Sequence, residues 1–163
     1  MDRFTAAAPV GGALRSDSPQ RTRALGRALG MRAASGTTLA LIGPLGAGKT
    51  ELAKGVADGL GVTSVVNSPT FVLMNEHEGR LRLFHVDAYR LDDAEEALAA
   101  GLFDERQAYG VTVVEWADRL DGWLPLERLD VWIAPDPDSE SGREIRWAAH
   151  GDAHAGLAAE ALR

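Results

Sequence analysis

The chain contains no cysteine. That excludes a disulfide framework, a thiolate zinc site and a cysteine nucleophile, and it leaves a reducing compartment open. No apolar run approaches the roughly 18 residues of a membrane span. Positive charge is also short: 17 basic against 24 acidic residues leave a net charge of −7, which argues against bulk electrostatic capture of nucleic acid or anionic membrane. Aromatics are sparse at 6%. What is present is ordinary for a folded domain, with 163 residues, 45% of them hydrophobic and 25% charged. A chain of this length makes about one domain and buries roughly two-thirds of its unfolded surface.

Residues 1–14 are rich in small residues, Asp2 offsets Arg3, and Pro9, Gly11 and Gly12 interrupt any apolar stretch. They read as a loose N-terminal tail that fits a signal peptide poorly, leaving residues 15–163 as a single domain. Ser18-Pro19 is a capping side chain before a proline at the first helical position, and Ala24, Leu25, Ala28 and Leu29 follow at helical spacing. Thr38 to Ile42 is a continuous apolar run suited to a parallel strand covered on both faces. Helical character resumes at Thr50 and stops at Gly59 and Gly61. Phe71 to Met74 and Leu81 to Val86 predict an antiparallel pair around Glu78-Gly79. Asp92 and Glu95 suggest a capped helix ending near Gly101, and Val111 to Val114 a buried strand. Alternation at Leu129, Val131 and Ile133 and at Ile145, Trp147 and Ala149 predicts a closing hairpin, followed by a short helix from Gly151. The expected fold is α/β, a P-loop NTPase-like domain with a central mixed sheet flanked by helices.

The strongest motif is Gly43-Pro44-Leu45-Gly46-Ala47-Gly48-Lys49-Thr50, which satisfies the P-loop pattern between an expected strand and an expected helix. Backbone amides freed at Gly46 and Gly48 can curl round phosphate oxygens at the positive end of the helix. Lys49 supplies a compact charge for the β and γ phosphates, and the Thr50 hydroxyl a ligand for Mg²⁺. Only Lys49 and Lys54 are lysines; a chain that otherwise uses arginine places lysine where an ammonium is needed.

Such a loop needs a further carboxylate near the metal. Asp87 and Glu115 both close expected strands, and the pattern does not choose between them. Glu115, after the cleaner apolar run, takes the metal role first, and Asp87 orients water or joins the metal shell. Ser68-Pro69-Thr70 is a stiffened turn able to sense a γ-phosphate. His150 and His154 read as surface histidines, and the four tryptophans as core. Arg15, Arg21, Arg23, Arg27 and Arg32 cluster around the first helix and read as a solvated face.

Together, GPLGAGKT, NSPTF, HVDAYRL, VVEW and a late GRE resemble the bacterial TsaE family, over about Ser18 to Trp147. The resemblance implies a cytoplasmic, Mg²⁺-dependent ATPase with low intrinsic turnover. It also implies action with the TsaB and TsaD proteins, which transfer threonylcarbamoyl to adenosine 37 of tRNAs reading codons that begin with A. Contact with tRNA is expected to be indirect, and with membrane absent. The family's phosphate-binding stretch falls on Leu45, Gly46, Ala47, Gly48, Lys49 and Thr50. Its metal site falls on Thr50 and Glu115, and its second essential acid on Asp87, which shares the catalytic role with Lys49. Arg143 matches a base-contacting arginine and Pro19 the other wall of the adenine pocket. Arg90 is a candidate for a finger in cis. The alternative reading is a small-molecule kinase using the same loop.

Overall fold

The computed structural model describes residues 10–66, 74–89, 91, 104–120 and 122–163. Seven strands form one mixed sheet: β1 (Val10–Ser16), β2 (Thr38–Ile42), β3 (Met74–His77), β4 (Arg82–Asp87), β5 (Gly110–Glu115), β6 (Arg128–Pro135) and β7 (Arg143–His150). Their spatial order is β1-β7-β6-β2-β5-β4-β3. The inner strands β6, β2, β5 and β4 run parallel, while β7 and β3 add antiparallel edges and β1 pairs outside β7. Among the described residues the helices are α1 (Pro19–Arg32), α2 (Lys49–Gly59) and α3 (Asp152–Ala161), and short 3-10 turns occupy Glu105–Tyr109 and Ala117–Leu120.

Local chemistry starts the elements where the sequence places them. The Ser18 side chain accepts from the Arg21 amide at 3.1 Å, and Pro19 begins α1. β2 and β5 are buried along almost their whole length because both faces of the sheet are covered there. On one face Leu25 and Leu29 of α1, Leu52 and Val56 of α2, and Leu157 of α3 pack on Leu39, Val113, Val131 and Ile145. A smaller cluster around Ala40, Val86, Val114 and Leu120 covers the other.

Helices α1 and α2 meet through glycines. A Cβ on Gly30 would lie 2.1 Å from the Val56 carbonyl oxygen, and one on Gly55 would lie 2.1 Å from that of Arg23. The two backbones touch because nothing projects between them. The arginines around α1 are largely paired with this chain's own groups, Arg15 with Asp136, Arg23 with Asp58 and Arg32 with Glu160, as a solvated face would be.

The N-terminal expectation needs correction. Residues 10–14 are not loose; they belong to β1, which pairs with β7 from Val10↔Ala149 to Ser16↔Arg143. Gly11 and Gly12 have the look of breakers, yet a Cβ on Gly12 would lie 2.8 Å from the Trp147 ring. The indole on the neighbouring strand fills the space the glycine leaves, so the strand tolerates it. The expected helix after Asp92, the Ser68-Pro69-Thr70 turn, Phe71 to Leu73 and Arg90 lie outside the described residues.

Candidate nucleotide site

The loop Gly43 to Thr50 leaves the C-terminal end of β2, the end of a parallel sheet where ligands of open α/β folds bind. Gly43 runs hard against β6, where a Cβ would meet the Ile133 carbonyl oxygen at 2.2 Å. Gly46 and Gly48 take left-handed backbone, at φ +78° and +110°, which turns the chain without a side-chain penalty. Gly48 caps α2 with no side-chain hydrogen bond, leaving the first-turn amides of the helix unserved by its cap. Within this curl Ala47 is buried and Leu45 is exposed at the tip.

Lys49 is 4% exposed. Its ammonium donates to the carbonyl oxygens of Gly43 at 2.5 Å and Pro44 at 2.9 Å, and it lies 4.0 Å from the centre of the Trp116 ring. Burial holds Lys49 below the ordinary lysine range, and attraction to Glu115, Asp118 and Asp87 opposes this. The Thr50 hydroxyl donates to Glu115 Oε1 at 2.9 Å. Glu115 is 2% exposed, and its other oxygen, Oε2, is 2.5 Å from His85 Nε2.

The two candidate acids occupy distinct positions. Asp87 and Glu115 are register partners at the ends of β4 and β5, but only β5 is hydrogen-bonded to β2, with Leu41 opposite Glu115. Strand order therefore sets Glu115 beside the start of the loop and Asp87 one strand further out. Burial raises the Asp87 carboxyl above the usual aspartate range, against the pull of the Tyr89 amide, which donates to Oδ1 at 2.9 Å.

Of the two remaining residues of the expected site, Arg143 is bonded to the loop. Arg143 donates from Nε to Ala47 O at 2.8 Å and from the guanidinium to Gly46 O at 3.3 Å, with further bonds to Gly142 O and Glu140 O. Its donors serve the loop's own backbone. Pro19 begins α1 beside a groove shared with Gln20, Arg23 and Glu51. The turn between β6 and β7 is tied to that helix entrance by Ser141 Oγ, 3.3 Å from Asp17 O.

The oxygen donors of Thr50 and Glu115 suit a hard divalent cation. Among the described residues no group of three or more His, Asp or Glu is placed to hold a metal, so a cation bound here must complete its shell with oxygens from elsewhere, such as phosphate and water. The amide curl and buried ammonium beside this pair fit a polyphosphate, so the residues present match Mg²⁺ with nucleotide.

Three readings of single residues change, one of them Trp123, which is 44% exposed and not part of the core. His154 is buried, not on the surface: its Nε2 accepts from the Thr38 amide at 3.1 Å, and burial lowers its pKa. His150 is half-buried and paired with Asp130 at 2.8 Å. Trp116 is not simply core; it sits half-buried under Lys49 with φ +58°, the one left-handed non-glycine among the described residues. His85, the contact of Glu115, is a residue to which the motif reading assigns no role. A histidine between Phe84 and Val86, two residues before Asp87 and so on the same face of the strand, is the available signal.

A family model described as "Threonylcarbamoyl adenosine biosynthesis protein TsaE" matches residues 16–145. A protein of Bacillus subtilis (strain 168) named tRNA threonylcarbamoyladenosine biosynthesis protein TsaE is 42% identical over 150 residues, spanning 91% of this chain and 92% of its own. A Treponema pallidum protein of the same name is 40% identical over 130 residues, covering 80% and 95% of the two chains. The crystal structure of Bacillus subtilis YdiB superimposes with a TM-score of 0.78 at 33% identity, over 97% of this chain and 98% of that one.

Proposed function

This chain belongs to the TsaE family, and from that premise we propose that it serves tRNA threonylcarbamoyladenosine biosynthesis as a slow, Mg²⁺-dependent ATPase acting with TsaB and TsaD. The observation that carries the ATPase reading is the meeting of Thr50 Oγ1 and Glu115 Oε1, 2.9 Å apart, beside the buried Lys49 ammonium.

Phosphoryl transfer to water asks a protein mainly for positioning and charge neutralisation. The loop amides of Gly46 to Thr50 bind phosphate oxygens. Lys49 exchanges its bonds to Gly43 and Pro44 for the β and γ phosphates, a trade that favours its charged form. Thr50 and Glu115 would hold Mg²⁺, which supplies further neutralisation of phosphate charge when bound. Asp87, raised by burial, is placed to hold and orient the attacking water. Pro19, at the start of α1, and Arg143, bonded to the loop, would serve as walls for the base. With no finger assigned, turnover is expected in the range of unassisted P-loop GTPases, about 10⁻⁴ to 10⁻² per second.

The kinase alternative draws no support from the relatives, which carry the TsaE name. The test is multi-round tRNA threonylcarbamoylation by TsaB and TsaD with and without this chain. Higher yield with the chain, lost on Glu115→Ala or Asp87→Ala, is the expected result; equal yields defeat the proposal. Partner binding with normal pathway output in variants that no longer hydrolyse ATP would leave a nucleotide-dependent binding module instead.

A further inference from the structure

Glu115 turns Oε1 to Thr50 of the loop and Oε2 to His85. The His85 ring is fully buried, on β4 between Asn75 of β3 and Val113 of β5. Its Nε2 lies 2.5 Å from Glu115 Oε2, and its Nδ1 has no hydrogen-bond partner among the described residues. An apolar side chain would fill that space without stranding a polar nitrogen. The histidine's one polar link within the described residues is to the carboxylate, and that link locks the rotation of the acid. Oε1 is thereby left facing Thr50.

We propose that His85 is a positioning residue that makes Glu115 a one-oxygen ligand and so biases the site toward a small octahedral cation such as Mg²⁺ or Mn²⁺ over Ca²⁺. Ca²⁺ readily takes both oxygens of a carboxylate and tolerates seven or eight ligands; Mg²⁺ demands a strict octahedron and accepts one oxygen per carboxylate. Donation from Nε2–H occupies one lone pair of Oε2 and holds that oxygen toward the ring, which disfavours the two-oxygen mode. A hydrogen-bond partner behind a ligand of this kind typically changes metal affinity by about 10- to 100-fold. The inference rests on the nucleotide-site reading and adds to it the source of cation choice.

The experiment titrates Mn²⁺ into the ADP-loaded full chain by electron paramagnetic resonance, with Ca²⁺ as competitor, for wild type, His85→Leu and His85→Gln. Gln carries an N–H at nearly the reach of Nε2. His85→Leu is expected to bind Mn²⁺ at least about tenfold more weakly and to admit Ca²⁺ relatively better, while ADP affinity in chelator is unchanged. His85→Gln is expected to recover most of both. If His85→Leu keeps the wild-type Mn²⁺ affinity and the wild-type Mn²⁺/Ca²⁺ ratio, the inference is overturned. A wild type that binds neither ADP nor Mn²⁺ instead sinks the site reading itself. Should His85→Leu fail to fold, ¹⁵N-histidine spectra of the wild type decide. A protonated Nε2 whose signal shifts in Glu115→Gln supports the proposal, and a bare Nε2 overturns it.

Discussion

The Lys49 ammonium lies 4.0 Å from the centre of the Trp116 ring, and Trp116 is held there by a left-handed backbone turn directly after Glu115. The cation that the proposed site would offer to phosphate is thus parked on an aromatic face, where the attraction is worth about 0.5–2 kcal/mol. Under the proposed function, addition of ATP and Mg²⁺ should draw the ammonium away and change Trp116 fluorescence. Trp116→Phe should abolish that signal, and a saturable signal of wild-type size in the variant would refute the arrangement.

Lys49→Ala tests the ammonium directly. The side chain touches loop carbonyls and a ring rather than the apolar core, so the variant should still fold, with a melting point lower by a few degrees at most. ATP and Mg²⁺ should raise the wild-type melting point by mass action and raise that of the variant much less.

Asp87 links function to stability. Its folded-state pKa is raised by burial, so the folded form holds the proton more tightly than the unfolded chain. Its contribution to stability is present at acid pH and lost as pH rises from about 4, the ordinary value, through the folded value. At pH 7 Asp87→Asn should therefore melt higher than wild type, while losing ATP turnover. The advantage should vanish near pH 3. A variant less stable than wild type at pH 7 would contradict the sign.

The glycine seam between α1 and α2 predicts opposite outcomes for one kind of substitution. Gly30→Ala or Gly55→Ala drives a methyl into backbone at 2.1 Å and should cost about 2–3 kcal/mol. Gly156→Ala, in α3 with nothing within 4 Å of a new Cβ, should stabilise by up to about 1 kcal/mol. Chemical denaturation of the three variants checks both signs.

Arg143 predicts a coupling between the late hairpin and the loop. Arg143→Ala removes the bonds to Ala47 and Gly46, and amides 46–48 should exchange hydrogen faster, with nucleotide affinity lower by about tenfold, the loss of roughly 1.4 kcal/mol. Lys at this position should recover little, because an ammonium lacks the planar fork that reaches several carbonyls at once. Unchanged exchange in the loop would remove Arg143 from this role.

Much of the site was legible along the chain because its first half is local. Strand, glycine loop and helix are contiguous, and a phosphate cradle needs only backbone geometry and the residues that permit it, which Gly43 to Thr50 display in order. Ser18-Pro19 marked its helix for the same reason. Where chain neighbours are not spatial neighbours, pattern was weaker. Gly11 and Gly12 read as a break because the ring that completes them belongs to Trp147, more than 130 residues away. His154 read as surface because the Thr38 amide that donates to it is 116 residues away in sequence.

The sequence by itself determined the chemistry on offer, an ammonium, a hydroxyl, two acids and a flexible amide loop, because residue identity and local spacing carry those properties. Only the tertiary structure decided which groups meet. Placing β5 rather than β4 against β2 brings Glu115 to Thr50, seats His85 behind it and Trp116 under Lys49, since strand order is settled by burial of both sheet faces and is written in no single segment.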